Sequence, residues 1–140
     1  MPSEAHASAG GSVRRRNCDR GAAAVEFALV MPVLLALVLG IAEFGRAYNV
    51  QTTLSGAARE GVRVMAVKND PAAARAATKA AASPVTLTDS QISVSPTTCV
   101  STATATASAT VTVTYALPYI TRLFGTSVTL HGKGTMRCSG

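Results

Sequence analysis

The feature that most constrains the fold is an apolar run from Ala22 to Ala42, which contains one charged residue, Glu26. As a helix this run is about 31 Å long at 1.5 Å per residue, which matches the hydrocarbon thickness of a bilayer. Pro32 lies inside the run, and a proline is tolerated better in a lipid-buried helix than in a soluble one. The run therefore predicts a membrane-spanning helix.

Basic residues directly before the apolar run predict its orientation. They are Arg14, Arg15, Arg16 and Arg20. Arginines in this position hold the N-terminal flank of a span in the cytoplasm, so much of the net charge of +6 is a topology signal. The remaining cations are scattered and lack interleaved aromatic residues, so we expect no nucleic-acid partner. The chain after the span is expected on the exterior, periplasmic or extracellular side of a single-pass membrane protein.

The first part of the exterior region predicts a continuation of the same helix over residues 43–68. Apolar residues recur there at helical spacing, with polar residues between them, which is typical of an amphipathic helix. These apolar residues are Phe44, Tyr48, Leu54, Ala58, Val62 and Met65. With residues 1–21 as a basic cytoplasmic leader and 22–42 as the span, residues 69–140 remain for an exterior α+β domain.

Within that domain, Asp70 as N-cap and Pro71 at the first helical position predict a short helix that ends near Ala82. Alternating apolar and hydroxyl residues then predict the strands of a small antiparallel sheet. They span residues 85–87, 91–95, 103–115 and 126–137, and residues 117–125 form a loop or short helical turn. Val111, Val113 and Tyr115 would face the long helix, while the threonine face would meet water.

Three cysteines are divided by the apolar run. Cys18 precedes it, whereas Cys99 and Cys138 follow it and should lie in an oxidising compartment. The sequence alone leaves open whether these two are free or bridged. A disulfide between them is favoured because a small domain with 4% aromatic residues gains most from a covalent link.

The junction of leader and span carries the most specific motif. The basic segment ends in Gly21, the apolar run begins at Ala22, and the pair Glu26-Phe27 places the acid fifth after the glycine. This arrangement resembles the processing site of type IV pilins and pseudopilins. Together with Ala-Arg-Glu-Gly-Val-Arg at residues 58–63 and Leu-Phe-Gly at 123–125, it is similar more narrowly to the TadE-like family of the tight-adherence (Tad) pilus system.

The resemblance implies a pilin-like fold, cleavage after Gly21 by a prepilin peptidase, and a role as a minor pilin or pseudopilin in adhesion, surface attachment or related secretion machinery. Implied partners are other pseudopilins, the major pilin, the inner-membrane assembly platform and membrane lipid. A buried carboxylate at Glu26 costs about 2.5 to 3.5 kcal/mol in the hydrocarbon region, so it needs a cation or a proton. Cleavage would supply the α-amine of Ala22, and a neighbouring subunit's amine could then pair with Glu26.

Other interpretations of this segment stay open. Glu26 alone could snorkel to the nearby membrane surface. A signal peptidase cutting after Ala42 would release a fragment beginning at Glu43. Without any cleavage, the chain would be a membrane-anchored ligand-binding or accessory domain with no pilus role.

The sequence offers little for catalysis. His131 has no acid partner nearby in the sequence, and Cys99, His131 and Cys138 lack the spacing of a zinc site. Glu60 and Arg63 are interpreted as charges on a helix surface. We therefore expect no enzymatic activity, no cofactor and no metal.

Overall fold

The computed structural model of the protein describes residues 15–101, 107–121 and 125–138, with side chains from Gly21 onward. The chain divides into two compact units, Met1–Gly40 and Ile41–Gly140. The fold is α+β, as predicted: a long N-terminal helix, a short second helix and a three-stranded antiparallel sheet.

The first helix, α1, spans Arg15–Lys68 and has 54 residues. The sequence predicted its start at Ala22, but it begins inside the basic segment, where arginine is a good helix former. Pro32 lies within α1 without ending it. At the other end Asn69 adopts a left-handed conformation with φ 52°, which asparagine tolerates better than most residues and which stops the helix.

The second helix, α2, spans Pro71–Ala81, close to the predicted bounds. The Asp70 carboxylate accepts hydrogen bonds from the backbone N–H groups of Ala72 and Ala73, at 2.8 and 3.2 Å. The predicted N-cap is therefore confirmed. Such a cap is worth about 1 kcal/mol, which matters for a helix of three turns.

The sheet contains β1 (Ile92–Ser95), β2 (Ser108–Pro118) and β3 (Ser127–Arg137), in the order β1-β2-β3. Strands β2 and β3 pair along their whole length, from Ser108 opposite Arg137 to Pro118 opposite Ser127. Strands β1 and β3 agree with predictions to within one residue, but β2 continues to Pro118, so the prediction of a loop beginning at Leu117 is wrong because Leu117 and Pro118 pair with β3. The predicted strand at residues 85–87 is also wrong. Pro84 lies in a turn, and Leu87 enters the core from an irregular segment that leads into a 3-10 turn at Asp89–Gln91. The predicted strand residues 103–106 lie outside the described ranges.

The core forms between the sheet and the later part of α1. Leu54, Ala58, Val62 and Met65 are buried on α1, facing Val111 and Val113 among others. Tyr115 packs against this cluster while remaining half-buried. On the opposite face of the sheet Thr110 and Thr112 are half-buried and Thr114 is exposed, as the alternation predicted.

Two members of the predicted apolar face do not reach that core. Phe44 and Tyr48 are 76% and 65% exposed, although they recur at the same helical spacing as the buried Leu54 and Ala58. Helical spacing alone does not show which apolar residues the sheet covers. In this part of α1, the sheet covers a different side of the helix.

Close approach of the sheet to α1 depends on glycines in β3. A Cβ added at Gly134 would lie 2.6 Å from the carbonyl oxygen of Ala58, and one added at Gly132 would collide with the backbone of Leu54. The outward-facing residues between and beside them, His131 and Lys133, are exposed. The Gly-Lys-Gly sequence thus lets a strand backbone rest on a helix backbone.

Candidate functional site

The N-terminal unit carries an apolar helical segment that has no cover within the described residues. Every residue from Gly21 to Leu39 is exposed. The described part of the chain has one helix that is long and apolar enough to cross a membrane, with a mean hydropathy of 2.5 over a window of which none is buried. In water, such a surface would be strongly unfavourable at about 25 cal/mol per Å², so the segment requires a lipid or protein environment.

Glu26 is the charged group in the middle of that apolar surface. It is exposed, and no described residue forms an ion pair or hydrogen bond with its carboxylate. Because α1 is helical here, Ala22 and Glu26 lie one turn apart on the same side, with Cβ atoms about 5 to 6 Å apart. Phe27 is exposed beside Glu26.

The predicted cleavage point lies inside α1, because the helix already begins at Arg15. Gly21 has no neighbouring atom within 4 Å of an added Cβ, so local packing does not require a glycine at this position. A glycine in a helix interior lowers helix stability by about 1 kcal/mol relative to alanine. The Gly21–Ala22 bond therefore occupies a weak point of an otherwise continuous helix.

The structure describes only part of the basic segment that predicts the membrane topology. Arg15, Arg16 and Arg20 lie in α1, but their side chains, like that of Cys18, are outside the described part. Arg14 lies outside the described residues altogether. The alternative signal-peptidase site at residues 40–42 is within α1, which continues through it.

A second polar cluster, which the sequence did not predict, lies where the exterior part of α1 begins. Glu43 is only 8% exposed, and its carboxylate accepts hydrogen bonds from the backbone N–H groups of Ile120 and Thr121, at 2.5 and 2.9 Å. The Thr121 hydroxyl lies 3.4 Å from the same oxygen. One turn further along, Arg46 donates to the carbonyl oxygen of Pro118 at 2.9 Å. We call Glu43, Arg46 and the residues 118–121 that they hold the turn clamp.

The turn clamp fixes the β2–β3 turn to the first residues after the apolar run. Further along α1, Gln51 donates to the carbonyl oxygen of His131 at 2.6 Å, and Gly132 meets Leu54. Strand β3 thus runs parallel to α1. The turn lies at the span end of the exterior unit, and the predicted turn residues 122–124 lie outside the described ranges.

The opposite end of the exterior unit is closed by the disulfide between Cys99 and Cys138, whose Cα atoms are 5.3 Å apart. Next to it, the Asn69 side chain accepts a hydrogen bond from the Cys99 backbone N–H. Both sulfur-bearing residues are buried. The segment after β1 and the end of β3 are therefore anchored close to the C-terminal end of α1.

The remaining candidate residues lie on the surface. His131 contacts the Thr114 hydroxyl at 3.3 Å, and the exposed pair Glu60 and Arg63 lies 3.5 Å apart. An exposed ion pair of this type contributes at most about 1 kcal/mol. Within the described ranges, no three His, Cys, Asp or Glu side chains come together as a metal site would require.

Part of α1 matches a known protein family. Residues 21–63 match the family described as TadE-like protein. The match begins at Gly21 and covers Glu26, the turn-clamp residues Glu43 and Arg46, and most of the helix face that packs on the sheet. It confirms the resemblance inferred from the sequence. No curated protein and no solved structure matches the chain significantly.

Proposed function

Because residues 21–63 of this chain are a TadE-like segment, we propose that the protein is a minor pilin or pseudopilin of a Tad-type pilus. In this role it is a structural subunit and not an enzyme, and it contributes to adhesion or surface attachment. The observation that carries the proposal is Glu26, a lone carboxylate in an exposed apolar helix, one turn after the Gly21–Ala22 bond.

Processing is the first step of the proposed mechanism. A prepilin peptidase hydrolyses the bond between Gly21 and Ala22 and releases the basic leader. The bond must leave the helical conformation to reach a peptidase, and the low helix propensity of Gly21 reduces the cost of opening that turn. Cleavage creates an α-amine on Ala22, which is protonated near neutral pH.

Assembly is the second step. The new amine and the Glu26 carboxylate lie on one side of the same helix, so each subunit carries a cation and an anion one turn apart. When apolar segments pack together, the amine of one subunit pairs with the carboxylate of the next. An unpaired charge in that environment is costly, so this pairing favours one axial register between neighbours.

The partners of this proposal follow from the two steps. They are the prepilin peptidase, the other pseudopilins and major pilin that share the apolar packing, and the inner-membrane assembly platform. Before assembly, membrane lipid covers the segment from Gly21 to Leu39, with the leader in the cytoplasm and the exterior unit on the other side.

Two substitutions separate processing from assembly in cells that carry the native pilus genes. Replacing Gly21 with leucine should leave the leader attached, because a bulky side chain then occupies the position before the cut. Replacing Glu26 with valine should permit cleavage but abolish or strongly reduce pilus assembly. Leader removal is followed by the mass of the membrane-extracted protein, and assembly by the amount of sheared pili.

The matched control is Glu60→Gln, which removes an exposed carboxylate from the same helix outside the apolar segment. It should change neither processing nor piliation. Normal piliation with Glu26→Val would contradict the pairing mechanism. Normal piliation after deletion of the whole gene would contradict the pilus role itself.

A further inference from the structure

Exposed apolar residues lie at both ends of the exterior unit, but the exposed aromatic residues among its described residues lie at one end. Among the described residues of the exterior unit, the two exposed aromatic residues, Phe44 and Tyr48, lie within two turns of Ala42, the last residue of the apolar run. Ile120, which is 66% exposed, is brought to the same end by the hydrogen bond between its N–H group and Glu43. We call Phe44, Tyr48 and Ile120 the apolar collar.

The level of the collar along α1 can be compared with the thickness of a bilayer. At 1.5 Å per residue, Phe44 and Tyr48 follow Ala42 by about 3 and 9 Å. The polar layer on each side of the hydrocarbon core is about 5 to 8 Å thick. If the hydrocarbon ends near Ala42, Phe44 lies at the depth of the lipid headgroups, where aromatic side chains are enriched, and Tyr48 lies at their outer edge.

The collar does not form a single face. Helical geometry places Phe44 and Tyr48 roughly 100° or more around α1 from Glu43 and Arg46, which hold Ile120. A protein partner would contact one side, whereas a lipid surface surrounds the end of the domain on all sides. The distribution of exposed apolar residues around this end therefore favours lipid over a second protein.

The charge at this level also suits a lipid surface. Arg46 is exposed, and none of the described acids forms an ion pair with it, since its guanidinium is used on the Pro118 carbonyl. A guanidinium at this level can bind the phosphate groups of lipid headgroups. The only carboxylate nearby in the described sequence, Glu43, is buried and turned toward the β2–β3 turn.

From these observations we infer that the apolar collar is a membrane-interface contact, in which the turn clamp holds Ile120 among the lipid headgroups beside Phe44 and Tyr48. The inference rests on the membrane span of the proposed function. It adds that the exterior unit is seated on the bilayer and is not merely tethered to it. A subunit that moves from the membrane into a filament must then lose the lipid contacts of its collar.

The chain contains no tryptophan, so single tryptophans report on chosen positions without background. Ile120→Trp and Phe44→Trp place the probe in the collar. Val100→Trp is the matched control, because Val100 is an aliphatic residue of similar exposure, 57%, beside the disulfide at the other end of the unit. Each full chain is reconstituted into vesicles of phosphatidylethanolamine and phosphatidylglycerol, with and without brominated phosphatidylcholine.

We expect both collar tryptophans to emit at shorter wavelength than Val100→Trp and to lose roughly half of their fluorescence to lipids brominated near the headgroup. Val100→Trp should show neither effect. Equal emission and quenching of all three variants, in protein that floats with the vesicles, would overturn the collar and leave the span intact.

Two other outcomes also contradict the inference. A blue shift that grows with the ratio of protein to lipid, without quenching by bromolipid, would show that a second copy covers the collar. Failure of every variant to float with vesicles would overturn the membrane span itself, and the collar with it. The two failures are distinguishable because flotation is measured on the same samples.

Discussion

The Glu43 carboxylate accepts a hydrogen bond from the backbone N–H of Thr121 at 2.9 Å, across 78 positions of sequence. This contact joins the first residues after the apolar run to the turn at the end of the sheet. It makes the start of the exterior part of α1 and the β2–β3 turn one structural unit.

Replacing Glu43 with leucine should release the turn. Loss of a charge-assisted hydrogen bond that leaves donors unpaired costs about 1.5 to 3 kcal/mol, so exchange of the Ile120 and Thr121 amides should accelerate roughly tenfold to a hundredfold. Hydrogen exchange of the detergent-solubilised chain measures this. Glu43→Gln, which keeps an acceptor oxygen, should show a smaller acceleration.

The amides of Val111 and Val113 provide the internal control for that experiment, because they lie in the middle of β2. Their exchange should change much less than that of the turn. Unchanged exchange at Ile120 and Thr121 in Glu43→Leu would show that the turn does not depend on the clamp.

Two glycines of α1 should respond oppositely to the same substitution. A Cβ at Gly61 would collide with the Thr78 side chain of α2, whereas one at Gly56 meets nothing within 4 Å. Gly61→Ala should therefore lower the free energy of unfolding by about 1 to 3 kcal/mol through overpacking. Gly56→Ala should raise it by about 0.5 to 1 kcal/mol, because alanine is the better helix former. Denaturant midpoints followed by circular dichroism in detergent compare the two.

The collision can be tested by a second substitution. Thr78→Ala removes the hydroxyl that an added Cβ would meet first, so the double variant with Gly61→Ala should recover part of the lost stability. A loss of stability in Gly56→Ala equal to that in Gly61→Ala would contradict close packing of α1 on α2 as the cause.

The disulfide should be both complete and stabilising in the exported protein. Its sequence separation is 39, and closing a loop of this length is worth about 4 kcal/mol in the chain-entropy model. Replacing Cys99 and Cys138 with serine should lower the thermal midpoint of the exterior unit, while Cys18→Ser should not.

Alkylation of unreduced protein gives a second readout. Cleavage after Gly21 removes Cys18 with the leader, so Cys99 and Cys138 are the cysteines that remain in the mature protein. Mature protein beginning at Ala22 should take up alkylating reagent only after reduction, at two sites. Reaction of the mature protein without reduction would show that Cys99 and Cys138 are not bridged in the cell.

The sequence predicted the parts of this fold that depend on local pattern. Asp70-Pro71 marked the start of α2, and the alternation through Val111 and Val113 predicted β2 because each signal needs only neighbouring residues. The exposure of Phe44 could not be predicted, since an apolar residue at helical spacing can face a core, a lipid or a partner. The sheet, whose strands come later in the sequence, determines which of these environments Phe44 has.

The segment at Gly21 and Glu26 and the turn clamp also differ in how far the sequence alone indicates them. Gly21 and Glu26 were predicted as site residues from sequence because the roles proposed for them depend on spacing along one helix, although the start of α1 at Arg15 was not predicted. The role of Glu43 had no sequence signal, because its partners are backbone N–H groups distant in sequence and any residue type can supply those. Only the folded chain brings them together.

The central claim is that this chain is a subunit matured by cleavage between Gly21 and Ala22. Its most direct test is the mature N-terminus of the protein purified from membranes of cells with the native peptidase, by N-terminal sequencing and intact mass. The account predicts a chain that begins at Ala22, with or without N-methylation. A chain that begins at Met1 or at Glu43 would contradict it.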